Sequence, residues 1–227
     1  MAAGGLGTNV VIFDCNGVLV DGEEIVASVA AEELARAGVD VPAALIGQFF
    51  AGRRAVDMIT AIETAMDCRL PTDFNATLTA ATLRRFRTEL RATPHAEYAL
   101  TWLRGPKCVA SSATVDRIRA SLEITELLRF FDRNLFSGND VPNGKPAPDL
   151  YLHAAARMGI RAADCIVVED SPVGVQAAVA AGMRAIGYVG GRHAGPQLSA
   201  TLAAAGARAV IADLRALKGT VVELRGW

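Results

Sequence analysis

Apolar runs of three to six residues, rich in β-branched side chains and bounded by turn formers, are too short for a buried helix. They suit a strand covered on both faces. Such runs occur at Val10–Phe13, Lys107–Ala110, Asn134–Ser137, Cys165–Val168, Arg184–Val189 and Ala209–Ile211, and Cys165-Ile-Val-Val168 is the cleanest. Between the later runs the period becomes helical, over about Thr114–Leu122, Asp149–Met158, Val173–Ala181 and Gln197–Ala204. Strands alternating with helices build right-handed βαβ units. The expected fold is therefore α/β, a Rossmann-like parallel sheet with helices on both faces.

One interval breaks the alternation. Nothing between residues 22 and 100 reads as a strand. Helical patterns run instead over Glu23–Ala37, stopped by Gly38, then Pro42–Phe50, Ala55–Ala65, and from Asp73 to about Arg91. A chain of 227 residues has room for a core and a smaller insert. The expected division is a core of residues 1–19 and 96–227 with an all-helical cap at 20–95.

Composition narrows the function classes. With 52% hydrophobic and 21% charged residues the chain is globular, and a net charge of −1 gives no footprint for nucleic acid. Arg84, Arg85, Arg87 and Arg91 cluster at helical spacing around Glu89, as on a solvated helix face. No stretch approaches the roughly 20 apolar residues of a membrane span. The Met1–Asn9 segment lacks a basic region and does not read as a signal peptide. Cys15, Cys68, Cys108 and Cys165 show no Cys-x-x-Cys spacing, so reduced thiols and a cytoplasmic location are expected.

Reactive side chains fall where the strands end: Asp14 (with Gly17 just beyond), Ser111-Ser112, Lys145 in the loop after the third strand, and Glu169-Asp170. Ligands of open α/β sheets bind at those ends. Each residue also has a plainer reading. Asp14 could form an Asx turn, Ser111 could cap the following helix, Lys145 could be a solvated charge, and Glu169 and Asp170 could cap the helix near Pro172. Taken together they offer carboxylates for a cation, and a hydroxyl and an ammonium for a phosphate.

Asp14-Cys-Asn16-Gly-Val-Leu-Val-Asp21 resembles the first motif of the haloacid dehalogenase superfamily, Asp-x-Asp-Gly-Val/Thr-Leu-Val-Asp. The later stretches Leu-Phe-Ser-Gly, Gly-Lys-Pro-Ala-Pro-Asp and Val-Val-Glu-Asp-Ser-Pro-Val-Gly are most similar to sugar-phosphate and polyol-phosphate phosphatases bearing a helical cap. The resemblance implies a Mg²⁺-dependent phosphatase acting on a small phosphorylated metabolite, as a monomer or weak dimer. It implies Asp14 as the nucleophile that forms an aspartyl-phosphate, and Ser111 (or Ser112) as hydrogen-bonding the phosphoryl group. It implies Lys145 as neutralising charge, and Asp14, the Asn16 carbonyl, Glu169 and Asp170 as the Mg²⁺ site, with Gly17 beside the substrate. Arg53 and Arg54 follow Gly52 at what resembles the substrate-specificity loop; a pair of surface arginines is the alternative.

Asn16 departs from the motif, because the family's second Asp is the group that exchanges a proton with the leaving alcohol and the water. An amide cannot do so. A substitution made to trap an inactive state, a natural low-activity homologue and a relative with different chemistry all account for it; the intact remaining motifs favour the first. The Asn-Gly pair is also prone to deamidation. The only lysines are Lys107, Lys145 and Lys218, which excludes a cap Schiff base; Val26 stands where mutase relatives carry His; no Gly-x-Gly-x-x-Gly follows the first strand. Haloacid dehalogenases carry an aromatic residue at the position of Asn16. A phosphosugar mutase and a non-catalytic binder of phosphorylated metabolites remain as alternatives. His193 in the Gly190–Gly195 loop lies beyond a later strand end, where it either lines the cleft or, the preferred reading, sits on a surface loop.

Overall fold

The computed structural model describes residues 10–131 and 133–225; the segment Met1–Asn9 lies outside them. The strands are β1 (Val10–Phe13), β2 (Lys107–Ser111), β3 (Leu135–Ser137), β4 (Cys165–Glu169), β5 (Arg184–Tyr188) and β6 (Ala209–Ile211). They form one parallel sheet in the order β3-β2-β1-β4-β5-β6. All four residues of β1 and all five of β4 are buried, with no alternation, as a sheet covered on both faces requires. The α/β fold expected from the strand pattern is the one observed.

The chain runs outward from β1 to β2 and β3, then returns to lay β4 on the other side of β1. The strand order therefore reverses at the β1–β4 pair, where a crevice opens beyond the carboxyl ends. The register pairs Phe13 with Val168, and Asp14 N–H donates to the Val168 carbonyl at 3.0 Å. Asp14 and Glu169-Asp170 consequently leave the sheet side by side.

After β1 come α1 (Glu23–Arg36), α2 (Ala43–Phe50), α3 (Ala55–Ala65) and α4 (Phe74–Glu89), all between residues 20 and 95. Their apolar stripes, including Leu34, Ile46, Ile62 and Leu78, close on one another and join the sheet's core through Leu19, Val20 and Leu90. Each such side chain contributes about 1.5–3 kcal/mol by leaving water. One face of the sheet is covered by α5 (Ala96–Trp102), α6 (Val115–Ile124) and a C-terminal helix, the other by α7 (Asp149–Met158), α8 (Pro172–Ala180) and α9 (Leu198–Ala204). The C-terminal helix is α10 (Leu217–Arg225).

Two helices escape the sequence pattern. The start of α5 carries no capping Ser, Thr, Asp or Asn, only His95 in the left-handed region at φ 64°. In α10, Gly219 and the run Thr220-Val-Val222 oppose helix by propensity, yet burial of Leu217 and Val221 decides the outcome. Among the described residues no helix is long and apolar enough to cross a membrane. Cys15, Cys108 and Cys165 are buried free thiols, and Cys68 is half-buried.

Candidate active site

Asp14, at the end of β1, is buried, and its Oδ1 accepts a hydrogen bond from Lys145 Nζ at 2.6 Å. Lys145 is no solvated loop charge: its side chain is 0% exposed, and Nζ also donates to Glu169 Oε1 at 2.5 Å. Tyr151 of α7 donates its hydroxyl to the same Oε1 at 2.7 Å, while Ser171 N–H and Oγ–H both donate to Oε2 at 2.9 Å. Both oxygens of Glu169 are thus engaged beneath the site. In this arrangement Glu169 holds the lysine. The acids do not cap α8, since Ser171 does, accepting from Gly174 N–H at 3.1 Å.

The electrostatics of this trio follow from burial. Desolvation works against Lys145, but the charges of Asp14 and Glu169 outweigh it and hold the ammonium well above its usual pKa. Burial also pushes Glu169 up; Lys145 and the Ser171 and Tyr151 hydrogen bonds more than reverse that and leave it below the ordinary carboxylate value. Asp14 stays well above, because burial and the negative charges of Glu169 and Asp170 exceed the help from Lys145. One buried ammonium serves two carboxylates, and Asp170 adds a third negative charge close by.

Asp170 lies at the crevice floor. Gly17, at φ +89°, passes so close that a Cβ there would fall 1.9 Å from Asp170 Oδ2, so residue 17 has to be glycine. His193 Nε2 sits 2.9 Å from the same oxygen, near enough for an ion pair although no well-aligned hydrogen bond is made. His193 therefore lines the cleft, the alternative to the preferred surface position. Arg192 explains it: its Nε donates to Asp21 Oδ2 at 2.5 Å and its N–H to Oδ1 at 3.3 Å, which pins the loop and turns His193 inward. Burial lowers the imidazole's pKa, but Asp170 raises it further, to about 9. Burial also raises Asp170, only partly offset by His193.

Asn16 turns its Nδ2–H to Glu23 Oε1 at 2.5 Å, and its buried Oδ1 has no partner among the described residues. Its backbone carbonyl accepts no backbone hydrogen bond among them either. Burial, and then the charge of Asp170, push the Glu23 carboxyl up to about 7. Glu23 carried no signal in the sequence beyond its place at the start of a helix.

Ser111 Oγ accepts weakly from Ala113 N–H at 3.4 Å, whereas Thr114 caps α6, so Ser111 is not the helix cap. Ser112 Oγ–H donates to the Gly52 carbonyl at 2.7 Å and ties the helical insert to the sheet half. Arg54 makes a second tie. Its guanidinium forms two bonds with Asp57 at 2.8 Å and reaches the carbonyls of Gly138, Val141 and Pro142 at 3.2–3.3 Å. Arg54 is thereby tied to the loop that leads to Lys145, and it also lines a small cavity with Arg53. Arg53 is exposed at the cleft rim.

Oxygen donors are what this crevice can offer a cation: the carboxylates of Asp14 and Asp170 and the free carbonyl of Asn16. That set suits a hard ion such as Mg²⁺, which keeps several waters. Among the described residues no cluster of three His, Cys, Asp or Glu side chains forms a metal cage.

Residues 8–182 match the haloacid dehalogenase-like hydrolase family. The 6-phosphogluconate phosphatase of Escherichia coli (strain K12) is 30% identical over 187 residues, 82% of this chain and 85% of that protein. A conserved haloacid dehalogenase-like protein of unknown function from Agrobacterium tumefaciens str. C58 superposes with TM-score 0.79 at 31% identity, covering 96% of this chain and 99% of that one. A HAD family hydrolase from Deinococcus radiodurans R1, solved with bound phosphate and sodium, gives TM-score 0.72 at 30% identity and covers 96% of both chains.

Proposed function

The chain belongs to the haloacid dehalogenase-like hydrolases, and from that premise we propose that it hydrolyses a small phosphorylated metabolite, a sugar or polyol phosphate. The observation that carries this reading is the buried Asp14–Lys145–Glu169 chain beside Asp170 at the strand-order reversal. The relative from Escherichia coli is named for a phosphorylated sugar acid, which fits the same class.

Asp14 is the nucleophile. One carboxylate oxygen attacks phosphorus in line, the ester bond breaks, and the alcohol departs; water then attacks the aspartyl-phosphate and releases phosphate. Lys145 offsets the repulsion between carboxylate and phosphate and favours the ionised form of Asp14. Ser111, whose hydroxyl hydrogen has no strong acceptor, donates to a phosphoryl oxygen. Asp14, Asp170 and the Asn16 carbonyl would hold Mg²⁺, which would supply charge neutralisation to the phosphoryl group. Residues 20–95 serve as the cap that covers the crevice, held by Ser112 and Arg54. Asn16 cannot pass a proton to the departing alcohol, so turnover is slow with poor leaving groups. The same residue favours a second reading, a binder of phosphorylated metabolites that does not turn over.

Phosphate release from a panel of sugar and polyol phosphates, with Mg²⁺ and with chelator, tests the reading, with Asp14→Asn as control. Release that needs Mg²⁺ and Asp14 is expected, slow in this chain and faster in Asn16→Asp. Binding without release in either would establish the second reading and overturn the first.

A further inference from the structure

Arg117 projects from α6 into the interior of the helical insert. It is the single contributor from beyond residue 95 to the described lining of a small cavity otherwise formed by residues between Glu23 and Leu78. Val26, Ile46, Phe50, Met58 and Leu78 give that cavity an apolar wall. Among the described residues no carboxylate lies within ion-pair distance of the Arg117 guanidinium, and its side chain makes no hydrogen bond. Glu23 is the one acid in the lining, and it is turned to Asn16. Of the other two cations, Arg54 is neutralised by Asp57 and Arg53 is free at the rim. Burial holds Arg117 below its ordinary pKa, with Glu23, Cys15 and Asp14 only partly offsetting it.

A guanidinium enclosed by apolar side chains normally has an anion against it. The cavity measures about 50 Å³ and adjoins one of about 350 Å³ with which it shares Glu23, Ala27, Gly47 and Ala51. Since one water needs roughly 10–15 Å³ on this measure, the smaller space suits a carboxylate or phosphate group and the larger a carbon chain.

We propose that Arg117, with Arg53 at the rim, forms a second anion subsite, so that the preferred substrate carries a carboxylate or second phosphate remote from the phosphoryl group that is removed. This rests on the phosphatase reading and narrows it to phosphorylated sugar acids or sugar bisphosphates over neutral polyol phosphates. The planar, five-donor guanidinium matches either group with paired hydrogen bonds.

The test compares phosphogluconate, a hexose bisphosphate and sorbitol phosphate, by phosphate release and by calorimetric binding, in the wild-type chain, Arg117→Gln and Arg117→Lys. The wild type should prefer one or both of the doubly anionic esters by about 10- to 100-fold in kcat/KM, the scale of hydrogen bonds between charged groups. That preference should collapse towards one in Arg117→Gln through KM, and survive in part in Arg117→Lys, which keeps the charge and loses the fork. Thermal unfolding confirms that the variants are folded. Whether the acid or the bisphosphate leads identifies the anion. Equal treatment of the three esters, or a preference untouched by Arg117→Gln, would overturn the subsite and leave the phosphatase reading standing. Release from none of them, even in Asn16→Asp, would overturn the phosphatase reading, while calorimetry would still decide the subsite.

Discussion

Asn16→Asp is the most informative substitution, and the structure makes its outcome more specific than a simple gain of an acid. The new carboxylate oxygen would take the place of Nδ2, 2.5 Å from Glu23 Oε1. Two carboxylates this close cannot both ionise; they share a proton and titrate as a pair. Glu23 already titrates at about 7 through burial and the charge of Asp170, so a second charge beside it puts the pair's upper apparent pKa above 7. At neutral pH the pair would hold one proton facing the leaving group. General acid–base help is about 10²- to 10⁴-fold, so kcat and kcat/KM should rise together by about 10²-fold or more, with KM little changed. A p-nitrophenyl ester, which leaves without protonation, should gain less. The basic limb of the pH profile should fall above pH 7, and adding Glu23→Gln should shift it to lower pH by about one unit or more. The assay is steady-state phosphate release from pH 5 to 9, with mass spectrometry to exclude deamidation of Asn16. Equal turnover in the two chains, or a basic limb indifferent to Glu23, would refute the reasoning.

Glu23→Gln alone tests the same carboxyl through stability. The folded chain holds this proton to about 7 against a model-compound value of 4.5, so it binds more protons than the unfolded chain between those values, and stability is lost as pH rises through that window. Gln removes the loss, and urea unfolding in chelator should find the variant about 2 kcal/mol more stable relative to wild type at pH 8 than at pH 4.5; parallel pH–stability curves would contradict this. Lys145→Met should abolish phosphate release and cost about 3–5 kcal/mol at pH 8, because Asp14 and Glu169 lose their shared buried cation. A variant with wild-type urea resistance would show that Lys145 does not hold those carboxylates.

Asp14, Lys145 and Asp170 are legible as neighbours because a parallel sheet gathers its strand ends: Asp14 and Asp170 follow apolar runs too short to be anything but strands, and Lys145 stands in the loop beyond a third. The separate surroundings of Glu169 and Asp170 are hidden because adjacency in sequence masks the pleat: neighbouring residues at a strand end point to opposite sides. Glu169 goes down to Lys145 and Tyr151, and Asp170 goes up to the crevice. The surroundings of Arg54 and His193 are hidden for a different reason. Their partners, the carbonyls near residue 141 and the carboxylate of Asp170, are distant in the chain, and only the folded topology supplies them. Arg117 offered no signal at all, since an arginine in an amphipathic helix ordinarily faces water.

Asn16 is more than the loss of a proton carrier, and its neighbours show why. Gly22 leaves the space its Oδ1 occupies; a Cβ there would fall 2.4 Å from that oxygen. With the amide lodged against Gly22, its Nδ2–H points at Glu23 and needs an acceptor there. The amide of Asn16 is therefore matched to an ionised Glu23, and the carboxylate introduced by Asn16→Asp to a protonated one. Glu23 in turn is the acid facing Arg117 across the small cavity, and its charge is the largest influence opposing burial on that guanidinium. Residue 16 thus sets the charge state that Arg117 meets. With Asn16, Glu23 changes charge at about 7, between the reaction centre and the second anion subsite, and Asn16→Asp moves that change to higher pH. Substrate preference and proton transfer are coupled through this one carboxyl, so the anion preference should strengthen as pH falls through about 7 in the Asn16 chain and at a higher pH in Asn16→Asp, and a preference flat with pH in both would contradict the coupling.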